Sequence, residues 1–384
     1  MAFLDGITVL DLASVGPAAR TSRWLSDFGA SVVKVGPVPA HGGVQLTPPF
    51  HAYSGHRGME RVLLDLKAPA GVETFLRLAS AADVVIESFR PGVADRLGVG
   101  FDAVRSVRPS VVYCSTTGYG QHGPRAQWAG HDLNYQGVSG YLDLTGRDGS
   151  GQPPVPGATL ADGAGGGLHA VASILAALIR ARTGGEGAYL DVAAADGMLA
   201  LMALPVDEFL AEGTEPGPGR SLLTGRYACY GVYRAADGWL TVAAIEPRFW
   251  TNLCSMVGLE HWATHQFDDA AQDGIRGELA AVLMTRTRDE WVSLLGPADT
   301  CVAPVLSVPE VTTDAQYRAR GCFVAASHPA HGAFTQVAPV LAGMDRPAHV
   351  QAKDSSITDT QVVLGRAGID RDTIDSLIAA GVVA

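Results

Sequence analysis

Cysteine is scarce and unpatterned in this chain. Its 384 residues include five, at 114, 229, 254, 301 and 322, an odd number with no Cys-x-x-Cys spacing. That speaks against a disulfide framework or a thiolate metal site, and it is the usage of reduced, buried thiols in a cytoplasm. Charge is sparse too. Only 17% of residues are Asp, Glu, Lys or Arg, and the formal charge is −11. No basic face is left for nucleic acid, and any polyanionic ligand needs a local cluster of cations working against the overall field. The opening Met-Ala-Phe-Leu-Asp has no charged stretch followed by an apolar core, so no secretory signal is expected. No apolar run reads as long enough to span a bilayer, and the final Gly-Val-Val-Ala is not a peroxisomal tripeptide. What abounds is apolar side chains, at 47%, and glycine, at 46 residues. The chain is therefore globular and loop-rich, and long enough for two domains around buried cores.

The first third alternates between short β-rich runs and amphipathic stretches. Strands are predicted at Ile7–Leu12, Ser31–Val35, Val62–Leu66, Asp83–Glu87 and Ser110–Ser115, with helices following Gly16-Pro17 and over Ala70–Ser80. This order predicts an α/β fold with an open, Rossmann-like parallel sheet. A long apolar helix is predicted from about Gly165 to Arg182, then a strand at Tyr189–Ala193 and a helix to about Glu212. The Gly/Pro-rich Gly213–Gly219 reads as a linker. Beyond it, Tyr227–Arg234 and Trp239–Ile245 flank Asp237-Gly238, a hairpin signal, and three helices complete a smaller α/β domain. The expected division is a large domain over 1–212, a linker over 213–225, a small domain over 226–330, and a tail over 331–384 that is helical from about Thr358.

The chemistry concentrates between Gly118 and Ala170. Ala129-Gly130-His131-Asp132 and Leu160-Ala161-Asp162-Gly163 place a histidine and a carboxylate on glycine-flanked turns. Such a pair is what reversible proton transfer at a carbon acid requires. The glycine run from Gly163 to Gly167 is predicted to open a helix, with free amides and a positive dipole end near Gly163. It does not fit G-x-G-x-x-G and follows a Pro-rich segment, so a dinucleotide fingerprint is a poor reading. Taken alone, His131 also reads as a surface or capping histidine, Asp162 as an N-cap, and Glu246 as a helix-capping residue.

Several pieces in order resemble one family over nearly the whole chain. Asp11-Leu-Ala…Gly16-Pro17…Asp27-Phe28-Gly29-Ala30, Leu64-Asp65-Leu66-Lys67, Glu87-Ser88-Phe89-Arg90-Pro91-Gly92 and Gly118-Tyr119-Gly120-Gln121-x-Gly123-Pro124 are similar to the family III CoA-transferase superfamily, of CaiB/BaiF type. Within it the chain most resembles the α-methylacyl-CoA racemases. The resemblance implies an aspartate at Asp162 that is the nucleophile in transferases and one of two acid/base groups in racemases. It makes His131 of Gly130-His131-Asp132 the second group, with Asn134-Tyr135 also racemase-like. Ala244-Ile245-Glu246-Pro247-x-Phe249 resembles a segment whose glutamate supports that histidine. Asp132 is expected to orient His131 or to cap locally.

The resemblance further implies an acyl-CoA substrate, an interlocked homodimer, no membrane, and no cofactor beyond the CoA or pantetheine moiety. Lys67, Arg90, Arg96, Arg57 and Gly163 are the expected contacts to it. The nucleotide side departs from the family pattern. Val35-Gly36-Pro37-Val38 lacks the usual acid and base, and His56-Arg57-Gly58-Met59-Glu60-Arg61 puts Met and Glu where two cations stand. The sequence thus points to racemisation of a 2-methylacyl-CoA. CoA transfer through Asp162 is the alternative, followed by divergent enolate or acyl chemistry on a biosynthetic thioester, and last by a binding protein without turnover.

Overall fold

Six short apolar runs build one sheet: β1 (Thr8–Asp11), β2 (Ser31–Gly36), β3 (Met59–Leu63), β4 (Val84–Glu87), β5 (Val112–Thr117) and β6 (Ala188–Ala193). They pair in parallel throughout, in the order β3-β2-β1-β4-β5-β6. The computed structural model describes residues 2–13, 15–39, 49–147, 149–354 and 356–384. Valine and isoleucine are concentrated in β2 and β4, as suits a parallel sheet covered on both faces. Leu10, Val33, Val35 and Val85 join one core with Phe75 and Leu78. Their neighbours Val9, Val32, Val84 and Ile86 join the other with Leu25 and Ile174. Helices α1 (Gly16–Asp27) and α2 (Pro69–Ala79) both carry proline in the first turn, where no N–H is needed and the fixed φ suits the helix.

The strand order reverses between β1 and β4, so loops at the carboxyl ends of these strands open a crevice, the usual ligand position in such sheets. A buried ion pair stiffens this end. Lys34 Nζ lies 2.5 Å from Asp11 Oδ2 across the β1–β2 register and also donates to the Ala13 carbonyl.

The third strand begins and ends earlier than the predicted Val62–Leu66, because the chain beyond Leu63 turns to meet the C-terminus. Asp65 N–H donates to the Val382 carbonyl at 2.8 Å, and Ala384 N–H to the Leu63 carbonyl at 3.2 Å. Helices at Thr360–Arg366 and Arg371–Ala379 precede that contact.

Two compact units emerge. The first holds Met1–Ser139, Pro156–Ala203 and Ala315–Ala384; the second holds Gly140–Val155 and Leu204–Asp314. The predicted small domain over 226–330 therefore runs too far. Phe323–His328 pairs antiparallel with Gly332–Val337 and parallel with His349–Gln351. That small sheet is tied into the first unit by Arg57, which reaches Gln336 and Val337, and by Lys353, which reaches the Met59 carbonyl.

The second unit carries the expected hairpin, Tyr230–Arg234 against Trp239–Ala243, with Val302–Pro304 as a third strand. Helices Pro247–Val257, Gln272–Leu283 and Arg288–Leu295 pack Trp250, Leu253, Ile275, Leu279 and Trp291 into its core.

One expectation about apolar runs needs correcting. The helix from Ala161 to Gly184 is, by length and composition alone, long and apolar enough to cross a bilayer. Its Ala170, Val171, Ile174 and Leu178 pack into the core beneath the sheet.

Candidate active site

The chain leaves β5 through the Gly118–Gly130 loop and re-enters a helix, α3 (Asp132–Val138), at His131. His131 has extended backbone and occupies the N-cap position; its N–H is accepted by Asn134 Oδ1 at 3.0 Å. That arrangement ties down the main chain and leaves the imidazole exposed. One turn on, Tyr135 is buried and its hydroxyl donates to the Gly130 carbonyl at 2.5 Å. A Cβ on Gly118 would lie 2.3 Å from the Tyr135 ring, and one on Gly130 2.8 Å from it. These glycines are there for the tyrosine, which holds the histidine's turn closed against the end of the strand.

Asp162 sits in a π-helical segment, Ala161–Leu168, that continues into α4 (His169–Gly184). Such wide turns are rare and are frequent at functional sites. The two candidate residues are tied together by Asp132. Its Oδ1 accepts the Asp162 N–H at 2.8 Å, and its Oδ2 accepts from Gln136 Nε2. Asp132, expected to orient His131 or cap its own helix, instead spends its oxygens on Gln136 and on the backbone of the other candidate.

The glycine run divides into two roles. A Cβ on Gly166 would lie 2.6 Å from Pro17 Cβ, and one on Gly167 2.7 Å from the Trp24 ring. A Cβ on Gly165 would meet the Ala194 carbonyl at 2.8 Å, at the start of helix α5 (Ala194–Leu201). These three glycines let helices approach closely. Gly163 differs, since a Cβ there would have nothing within 4 Å. The expectation of a free amide at Gly163 is corrected, because its N–H donates to the Thr159 carbonyl at 2.9 Å. The helix begins upstream of the glycines, so Asp162 is in its first turn rather than before it.

Burial pushes the Asp162 carboxyl above its ordinary range, and the nearby charge of Asp132 pushes the same way; Arg20 and His131 pull it back. Arg20, on α1, donates to Thr159 Oγ1 and lies over the Tyr53 ring at 5.7 Å. Burial, reinforced by Asp162, lifts the Tyr135 phenol to about 12, so it stays a donor. The constellation can hold a carboxyl group with a pKa nearer neutrality beside an accessible imidazole, which suits general acid–base work.

On the ligand side, Lys67 is exposed after the edge strand β3, and Arg90 and Arg96 are exposed after β4, beside the β1–β4 reversal. Arg57 is a correction. It is 4% exposed, with Nη1 donating to Gln336 Oε1 and the Val337 carbonyl and Nη2 facing Asp27 at 3.3 Å. Its donors serve the fold. A cleft of about 300 Å³ is lined by Leu12 and Ala13 after β1, by Gly36 and Pro37 at the end of β2, and by His56, Met59, Glu60 and Arg61 leading into β3. Burial, with the charges of Lys34, Arg23 and Arg61, lowers His56 to about 4. Among the described residues no group of three or more His, Cys, Asp or Glu side chains is placed to hold a metal ion.

Glu246 belongs to the second unit. It is exposed at the N-cap position of Pro247–Val257, and its side chain makes no capping hydrogen bond. Its charge is felt by the Cys301 thiol, raised chiefly by burial. One contributor was missed in the sequence: Arg20 bears on Asp162 from 142 positions away, which no local pattern encodes. Tyr135 was singled out by resemblance, but its hold on Gly118 and Gly130 was not.

The chain matches CoA-transferase family III over residues 4–354. It is 32% identical over 378 residues to the human (Homo sapiens) alpha-methylacyl-CoA racemase, covering 97% of this chain and 96% of that protein. It is 31% identical to the succinate–glutarate CoA-transferase of Agrobacterium fabrum over 341 residues, 83% of this chain and 84% of the relative. A crystal structure of a CaiB/BaiF family protein from Brucella suis superposes with a TM-score of 0.74 at 29% identity, covering 96% of this chain and 99% of that one. With the parallel sheet, the Gly-His-Asp turn and the aspartate on its glycine-rich helix all in place, the chain belongs to CoA-transferase family III.

Proposed function

We propose that this protein inverts the configuration of a 2-methylacyl-CoA thioester by 1,1-proton transfer. The observation that carries the reading is the linkage of His131 and Asp162. Asp132 follows His131 directly on α3 and holds the Asp162 N–H at 2.8 Å, and the His131 charge acts on the Asp162 carboxyl. Racemisation needs one group to take the α-proton and another to return a proton to the opposite face. His131 or Asp162 is the base, depending on the substrate's configuration, and the other is the acid.

The α-proton of a thioester is a weak acid, so the base must be poised and the enolate oxygen stabilised. A raised Asp162 pKa, caused first by burial and then by Asp132, makes it a stronger base than an ordinary carboxylate. The enolate is assigned to the positive end of the helix that begins at Ala161, and the open space at Gly163 lets substrate approach the backbone there. Lys67, Arg90 and Arg96 are assigned to the CoA phosphates, with Arg61 in the adjoining cleft. The chemistry calls on no metal or redox group. An interlocked homodimer in the cytoplasm, with Glu246 supporting His131, completes the reading.

CoA transfer through Asp162 as nucleophile is the second reading, favoured by the 31% identity to a CoA-transferase. Proton NMR of 2-methylacyl-CoA in deuterated buffer separates them. Racemisation predicts loss of the α-hydrogen signal and collapse of the methyl doublet with the thioester intact. Transfer predicts no exchange and ping-pong dependence on a second carboxylic acid.

A further inference from the structure

A second cleft, of about 400 Å³, opens within the first unit between α1 and the Gly332–Val337 strand. Arg20, Arg23 and Trp24 line it from the helix, Tyr53 from the facing turn, and Gln336 from the strand. Among the described residues, no Asp or Glu lines it.

Its wall holds an unbalanced charge. Arg23 and Arg57, 6% and 4% exposed, share the single carboxylate of Asp27, at 2.5 and 3.3 Å. Buried guanidinium groups ordinarily have a matching anion, because an uncompensated buried charge is strongly destabilising. Donors are left over as well. Among the described residues, Arg20 Nε, Arg23 Nε and Gln336 Nε2 are buried and have no acceptor, although native proteins pair nearly all such atoms. All three belong to residues lining the same cleft. Burial is also what lowers Arg23 to about 10, with the Arg57 charge adding to it. The backbone opposite is held under strain. Tyr53 and Ser54 adopt left-handed φ values of 47° and 58°, a conformation that persists where surrounding structure imposes it and that clusters at ligand sites.

We propose that this cleft binds an organic carboxylate, held by Arg20, Arg23 and Gln336 with its carbon skeleton between Trp24 and Tyr53. Two guanidiniums against Asp27 leave one positive charge, which a monoanion balances. Planar guanidinium and amide donors match a carboxylate, and the volume and aromatic walls exceed what a bare inorganic ion fills. Through Arg20 the occupant communicates with Asp162: neutralising Arg20 removes one of the charges that hold the Asp162 pKa down. The site stands whichever reaction the protein catalyses, and its test uses no turnover.

The experiment is saturation-transfer NMR and thermal unfolding of the full chain with sodium butyrate, inorganic phosphate or sodium chloride at matched ionic strength. Butyrate is expected to bind saturably and to raise the melting temperature, and phosphate and chloride to do neither. Arg20→Gln, a half-exposed position, is expected to fold normally and weaken butyrate binding about tenfold or more, with Gln336→Leu as the second variant. Absence of saturable butyrate binding overturns the site, as does unchanged affinity in folded Arg20→Gln. Phosphate binding as tight as butyrate overturns the carboxylate assignment.

Discussion

Asp132 Oδ1 accepts the backbone N–H of Asp162 at 2.8 Å, so one carboxylate fixes the position of another while raising its pKa. Replacing Asp132 by Asn keeps an oxygen for that hydrogen bond and removes the charge. The acid limb of the rate–pH profile, where Asp162 must be ionised, is then expected to move to lower pH. An unmoved limb would show that Asp162 does not titrate in the catalytic step.

His131 exposes its imidazole at the start of α3, so its truncation is expected to leave the fold intact. His131→Ala is expected to reduce α-hydrogen exchange by about 10²–10⁴-fold with an unchanged melting temperature. Exchange near the wild-type rate in that variant would falsify the two-base assignment.

Gly163 and Gly165 are separated by one residue and predict opposite outcomes. Gly163→Ala has nothing within 4 Å of the new methyl. It is expected to be as stable as wild type, or more so by about 0.5–1 kcal/mol from helix propensity, while activity falls through crowding of the substrate. Gly165→Ala meets the Ala194 carbonyl at 2.8 Å and is expected to lose about 1–3 kcal/mol of stability. Urea melts of both variants beside exchange rates check the pair.

His56 is held at about 4, against an unfolded value of 6.5. Its contribution is present above pH 6.5 and is lost as pH falls through the folded value, because the unfolded chain takes up the proton first. Stability is expected to decline between about pH 6.5 and 4, by about 3 kcal/mol from this group. His56→Asn removes that part of the decline; identical pH dependence of the urea midpoint in both proteins would exclude it.

Arg57, expected from the sequence to meet the ligand, is locked between Asp27, Gln336 and Val337. Arg57→Met is expected to cost about 3–5 kcal/mol by leaving buried partners unmatched. A variant with wild-type stability and weakened CoA binding would return Arg57 to the ligand side.

The sheet was legible because its strands are short, largely buried runs separated by helical stretches, and the hairpin because Asp237-Gly238 announces its turn. The pairing of His131 with Asp162 was legible only through resemblance, since 31 positions separate them and each has an ordinary capping role. What could not be read is what long-range packing decides. Gln336 lies 279 positions from Arg57, so nothing near Arg57 shows that its guanidinium is spoken for. The glycine run read as ligand-facing because a gap for a neighbouring helix and a gap for a substrate look alike in sequence. The boundary expected at 330 falls inside the small sheet near the C-terminus, whose anchors, Arg57 and Lys353 contacting Gln336 and Met59, are far apart in sequence.

The tightest of these helix approaches bears on when the turn carrying Asp162 takes its shape. A Cβ on Gly197 would sit 1.7 Å from the Gly165 carbonyl, so the π-helical turn bearing Asp162 is seated directly on the backbone of α5. During synthesis, that seat emerges some thirty residues after the aspartate. Until α5 arrives and docks, the wide turn lacks the surface that shapes it, and the carboxyl lacks the burial that tunes it. A chain ending before α5 would carry His131 and Asp162 without the backbone surface on which the Asp162 turn is seated, so the setting of that carboxyl is made by helix docking and not by local sequence.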